Sequence, residues 1–261
     1  MADVHLTSLD DAAWAGPWRK VRVGEKVTLS VGLVLSALFA PSWPGTPAVA
    51  LASVLLIVGP ARIPPRVLGV AMAAPLTFLA LGSVSVAVTV GDAPLDALAA
   101  WGPLAVTPAS LAHGLDVGGH GIAGTLALMV LATTTPMVDL LTWLRTLRVP
   151  DPLIAVASLT YRLLFVLLDT VVGIHDAQAN RLADAAGPRR RWRTSAAATG
   201  TVLVRAWDRA ERLQAGLEAR GFESALVTLP VARPRSWSFR GLTAAVLAAV
   251  WIAVVATWAA R

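Results

Sequence analysis

The stretch "VLGVAMAAPLTFLALGSVSVAVTV", residues 67–90, contains no charged side chain. As a helix rising about 1.5 Å per residue it is long enough to cross the about 30 Å hydrocarbon core of a bilayer. The stretch opens a longer window, because no Lys or Arg occurs from Val67 to Leu144. Across the chain only 15% of residues are charged, against about 25% in typical soluble domains. Hydrophobic residues make up 56% and mean hydropathy is +0.66. So few charges cannot cover a water-facing surface, and the composition specifies an integral membrane protein.

Further apolar runs lie on either side. Val27–Trp43 comes after the basic patch Arg19, Lys20, Arg22 and Lys26 and ends in "PSWPGTP" (41–47), whose prolines and glycine mark a turn. Ala48–Pro60 is short for a span and reads as a tilted half-hairpin or a re-entrant segment; Arg62 and Arg66 come next, around a Pro-Pro pair. Residues 91–120 carry Asp92, Asp96 and Asp116 with no basic residue and read as a loop. Ile122–Leu144 and Gly241–Ala260 complete the candidate spans. Trp43, Trp101, Trp143 and Trp258 stand near their proposed ends, where indole rings anchor.

The net charge of +6 sits in short patches between apolar runs, which is the cytoplasmic bias of membrane proteins and not a nucleic-acid footprint. Placing the N-terminal patch inside puts Arg62 and Arg66 inside, 91–120 outside, and Arg145 and Arg148 inside. Leu153–Ile174 cannot then cross without exporting the arginine-rich region 176–240. It also carries Arg162 and Asp169, which are costly in lipid, so it reads as an interfacial helix in which Tyr161, Arg162 and Asp169 hydrogen-bond locally. The reading is all-α: a polytopic integral membrane helix bundle with cytoplasmic amphipathic coupling helices. Residues 1–26 are a cytoplasmic segment without a cleavable signal, 27–144 a bundle of four helices, 145–240 a cytoplasmic or interfacial helical domain, and 241–261 a last span.

One piece reads differently. "RAWDRAERLQAGLEARGF", residues 205–222, places Ala206, Ala210, Leu213 and Leu217 on one helical face and charges on the rest, with Asp208 and Arg212 in i,i+4 register. Gly221 fits a left-handed C-cap, with Arg220 at the carbonyl-rich helix end. Read from the residues alone, this is a well-capped amphipathic helix.

The same stretch resembles the second coupling motif in the transmembrane T component of energy-coupling factor (ECF) ABC transporters, which uses an Ala-Arg-Gly triplet at a helix end. Ala219-Arg220-Gly221 matches it in full. "PWRKVRVGEKVTLSVGL" (17–33) looks like the lead-in to that family's first membrane helix. "ATTTPMVDLLTWLRTLRVPDPLI" (132–154) is similar to its fourth helix and the exit from it, and "LTYRLLFVLLDTVVGIHDAQANRLA" (159–183) to its first coupling helix. The features are most similar to the CbiQ-like, cobalt/nickel branch. At the first motif the triplet is Asn180-Arg181-Leu182, which keeps the arginine and changes its flanks; the nearest helix stop in the sequence is Gly187-Pro188.

The resemblance implies a non-enzymatic membrane scaffold in a bacterial or archaeal cell membrane, with its N-terminus cytoplasmic. Its implied partners are two nucleotide-binding ATPase subunits, a membrane-embedded substrate-binding (S) subunit and membrane lipids. Arg181 and Arg220 would each dock in an ATPase groove. No cofactor is implied in this chain: it has no G-x-x-x-x-G-K-[S/T] phosphate loop, so ATP and Mg would be bound by the ATPase subunits. The implied cargo is cobalt or nickel, with a vitamin such as biotin, or several substrates, as the alternative. A membrane-embedded enzyme is a more distant reading, and it lacks the carboxylates or histidines it would need between residues 27 and 90. His113, Asp116 and His120 lie close in sequence, but their spacing matches no strong metal motif, and His5 and His175 are isolated. Cysteine is absent, so no disulfide or thiolate site forms. The basic run "RRRWR" (189–193) reads as part of a loop facing water and anionic headgroups.

The charge alternation predicts that a reporter fused after Pro188 reads cytoplasmic and one near Gly118 reads external. Both on one side would mean that residues 153–174 cross.

Overall fold

A computed structural model describes residues 10–90, 98–101, 104–180, 187–221 and 233–259. The chain is all-α apart from a small sheet. A 3-10 turn, Pro17–Lys20, leads into α1 (Val23–Phe39), then α2 (Gly45–Val58), α3 (Pro65–Ala87), α4 (Pro108–Thr134), α5 (Met137–Leu144), α6 (Asp151–Asn180), α7 (Pro188–Glu218) and α8 (Trp237–Ala259). Strands β1 (Thr89–Val90), β2 (Ala99–Trp101) and β3 (Leu104–Val106) form an antiparallel sheet in the order β1-β3-β2.

Among the described residues four helices are, by length and composition, long and apolar enough to cross a membrane: α3, α4, α6 and α8; α6 contains the segment 153–174 that the charge pattern assigns to the interface. Helix α2, with 14 residues, reaches only about 21 Å, so it is short for a span, as its sequence indicates. The main departure from the sequence reading is α4. Residues 108–120 are helical, and the apolar run 122–144 is broken at Thr135-Pro136 into α4 and α5. A capping box starts α4: Ser110 N donates to Thr107 Oγ1 and Thr107 N to Ser110 Oγ, both at 3.0 Å, with Pro108 in the first turn. Gly118 therefore lies inside a helix, and Leu98, exposed in the sheet region, is the better fusion point for the segment expected outside. Asp92 and Asp96 lie outside the described residues.

Two compact units divide the chain. The first joins residues up to Pro136 with those from Ala232 onward, and the second is Met137–Val231. The last helix, α8, thus belongs with α1–α4, while α5 belongs with α6 and α7.

In the bundle unit α4 is central, packing on α1, α2 and α3, while α8 packs on α1 and α2. The core includes Leu29, Leu33, Val49, Ile57, Ala123, Ala127 and Val130, all fully buried. Helix α3 comes close to α4 because Gly114 and Gly118, one turn apart, present no side chain to it. A Cβ at Gly114 would lie 2.7 Å from the Ser83 carbonyl oxygen and 2.9 Å from Ala87 Cβ, and one at Gly118 would meet Ser83 Oγ. Ser110 Oγ then donates to Ala87 O across the same pair at 2.7 Å. Small residues and interhelical hydrogen bonds are what hold helices together in lipid, where apolar surface gains little from burial.

Gly114→Ala forces two backbones apart and is expected to cost about 1–3 kcal/mol, as overpacking does. Gly124→Ala, where a Cβ meets nothing within 4 Å, is expected to be neutral or stabilising. Thermal unfolding of the two variants in detergent checks the contrast.

Candidate coupling site

In the second unit, α5 packs on α6 and α6 on α7. Arg145 Nε lies 3.5 Å from Asp151 Oδ1, tying the turn after α5 to the start of α6. Gln178 Nε2 donates to Thr194 O at 3.3 Å between α6 and α7. Deep burial is scarce: Leu141, Ile154 and Ala155 are the buried hydrophobics among this unit's described residues. Arg162 and Asp169, expected to hydrogen-bond locally, are instead exposed and have no such partner among the described residues. Asp169 lines a cleft of about 490 Å³ with Thr170, Ile174 and Arg205, while Tyr161 stacks edge-on against Phe165.

Helix α7 is 31 residues long. It begins at Gly187-Pro188, with glycine as N-cap and proline in the first turn, so the dipeptide starts a helix instead of stopping one. "RRRWR" is consequently its first turn and not a loop. Half-buried Thr194, Ala198, Val202, Ala206, Leu213 and Leu217 run along one face. Ala210, expected on that face, is exposed. A second row, Trp192, Leu203 and Trp207, is 79%, 70% and 67% exposed. Its offsets of eleven and fifteen were legible in the sequence as one helical face. Asp208 and Arg212 are in register but not in ion-pair contact.

The end of α7 carries the triplet. Ala219 is the C-cap, its N–H donating to Ala215 O at 3.0 Å. Arg220 N donates to Leu217 O at 3.1 Å and Gly221 N to Glu218 O at 3.0 Å. Gly221 has φ +69°, the left-handed conformation that stops the helix and that a Cβ disfavours. All three residues are exposed, and the Arg220 guanidinium has no hydrogen-bond or ion-pair partner among the described residues. The cap thus holds the backbone of an exposed arginine, without a partner among the described residues, at the tip of a long helix. Asn180 lies in α6 as its last described residue and is exposed. Arg181 and Leu182 lie outside the described residues.

His113, Asp116 and His120 lie on α4, not in a loop. His120 Nε2 lies 3.2 Å from the Ala40 carbonyl oxygen, and Nδ1 lies 2.9 Å from Asp116 O and 3.2 Å from its Oδ1. Among the described residues no group of three or more His, Cys, Asp or Glu side chains comes together for a metal. His5 is outside the described residues.

A family model described as cobalt transport protein, CbiQ, matches residues 16–230. The chain is 36% identical over 235 residues to the cobalt transport protein CbiQ of Rhodobacter capsulatus, covering 88% of this chain and 92% of that one. It is 26% identical over 222 residues to an uncharacterized protein of Methanocaldococcus jannaschii, covering 85% and 82%. A putative fused cobalt transport protein, CbiMQ, of Methanocorpusculum labreanum is 28% identical over 232 residues, covering 86% of this chain and 37% of that one.

At Gly221 a side chain fits the space but not the backbone, since a Cβ meets nothing within 4 Å. Gly221→Ala is expected to cost about 1–2 kcal/mol at the end of α7, and Gly221→Asn less. Amide exchange of residues 215–221 measures the effect.

Proposed function

The chain belongs to the CbiQ family of cobalt transport proteins, and from this premise we propose that it is the transmembrane T component of an ECF-type importer for cobalt or nickel. As a multi-pass membrane component of transport, it would couple ATP hydrolysis by partner subunits to movement of a substrate-binding membrane subunit. The observation that carries the reading is the exposed Arg220 at the capped tip of α7, without a partner among the described residues. A guanidinium is always charged and pairs bidentately with a carboxylate, which suits it to a groove on another protein. Arg181, which follows Asn180 in the sequence, would serve the second ATPase subunit. ATP and Mg are bound by those subunits.

The open apolar faces supply the other half of the coupler. Leu153, Val156 and Leu164 on α6 and Leu203 and Trp207 on α7 are between 44% and 70% exposed. In a membrane protein such surface meets lipid or a partner helix, and here it would pack beneath the substrate-binding subunit. A membrane partner is also supported by the fused CbiMQ protein, in which the matched part is a minority of a longer chain.

Arg220→Glu is expected to release one ATPase subunit from the co-purified complex and abolish cobalt uptake, a loss of about 2–5 kcal/mol for a buried charged contact. Arg181→Glu acts likewise on the other subunit, and the double change is worse than either. Arg220→Lys restores function only in part, since an ammonium lacks the planar fork. Wild-type complex and uptake in Arg220→Glu would reduce the residue to a helix cap.

A further inference from the structure

We propose that Glu25 and Lys26, neighbours in the first turn of α1, are the positioning residues that moor both chain connections between the bundle and the coupling unit. The proposal rests on the reading of the chain as a coupler.

Lys26 is fully buried and its Nζ donates to the carbonyl oxygen of Thr134 at 2.7 Å. Thr134 is the last residue of α4, where main-chain carbonyls lack intrahelical partners and the helix dipole favours a cation. The Thr133 and Thr134 hydroxyls donate back to Met129 O and Val130 O, and Pro136 is fully buried. The next residue, Met137, begins the coupling unit. Lys26 therefore grips the bundle at the point where the chain leaves it.

Glu25 acts where the chain returns. Its Oε1 accepts from the backbone N–H of Ser236 at 3.3 Å, directly before α8 begins at Trp237. The Ser236 hydroxyl accepts from Phe239 N at 3.3 Å, and Phe239 packs edge-on to Trp18 at 4.9 Å. A carboxylate at a helix N-terminus has the sign that the dipole favours. Each charge thus complements the helix end it meets: positive at the carbonyl end of α4, negative at the amide end of α8. Successive residues on a helix point about 100° apart, so one turn of α1 reaches both neighbours.

Burying an ammonium is costly unless it is paired, and the bundle already has an apolar core. Lys26 and Glu25 instead pin main-chain atoms beside the two chain crossings. Motion delivered to the coupling unit then has to work against α1, which makes this turn the point of transfer into the membrane bundle.

The test uses the complete transporter reconstituted in vesicles, with Glu25→Gln and Lys26→Met. Three quantities are read: ATPase co-purification, ATP hydrolysis, and cobalt imported per ATP. Expected is retained co-purification and hydrolysis, with cobalt per ATP reduced about tenfold or more, the scale of one charge-assisted hydrogen bond. Hydrogen exchange should rise locally, around residues 133–138 for Lys26→Met and 236–240 for Glu25→Gln. Wild-type cobalt per ATP in both variants overturns the proposal. Loosening of the whole bundle, with uptake and hydrolysis lost together, also overturns it, because it assigns the pair to folding alone. If Lys26→Met does not accumulate in membranes, the near-isosteric Glu25→Gln decides by the same criteria. If the unmodified chain binds no ATPase subunit, the coupler reading fails, and the local exchange pattern still decides the mooring.

Discussion

The close seating of α1, α2 and α3 on α4 is the constraint on which the bundle depends. A membrane offers little gain from burying apolar surface, so contact has to come from backbones that approach closely and polar groups that find partners. Helix α4 supplies both. Gly114 and Gly118 admit α3, Ser30 Oγ donates to Ala127 O at 2.8 Å from α1, and His120 meets the Ala40 carbonyl at the far end of α1. Lys26 closes the other end of the same helix pair. Main-chain carbonyls accept most of these ties, so they specify the register of the helices as well as their proximity.

The coupling unit is built on the opposite principle. Two helices of 30 and 31 residues lie together with few buried side chains and extensive exposed apolar surface. Elements with few buried side chains belong to the weakly stabilised end of a structure, which suits the coupling role proposed for this pair. What is fixed is local: the Gly221 cap sets the backbone that carries Arg220, and the helix sets how far that charge reaches.

Much of this was legible in the sequence, and the misses share a physical cause. The end of α7 could be read residue by residue, because a capping glycine and amphipathic spacing are local signals. The beginnings of helices were harder. Gly187-Pro188 looked like a stop, although proline in a first turn is also a start. Residues 91–120 read as a loop on their acidic charges, yet the part from Pro108 onward is helical, and inside a membrane bundle its glycines are a packing surface as much as a breaker. Lys26 read as one more member of a basic patch, since its partner lies 108 residues away and no spacing rule reaches that far. Residues 180–182 gave only a partial match to the triplet, and of these only Asn180 is among the described residues.

The absence of cysteine allows a direct test of the central claim that Arg220 meets an ATPase subunit. A single cysteine at exposed Ala219 can carry a short photo-cross-linker in native membranes that contain the assembled transporter. The account predicts an adduct with a nucleotide-binding subunit, with a yield that changes when ATP is added. Adducts confined to lipid or to the chain itself, unchanged by ATP, would contradict it.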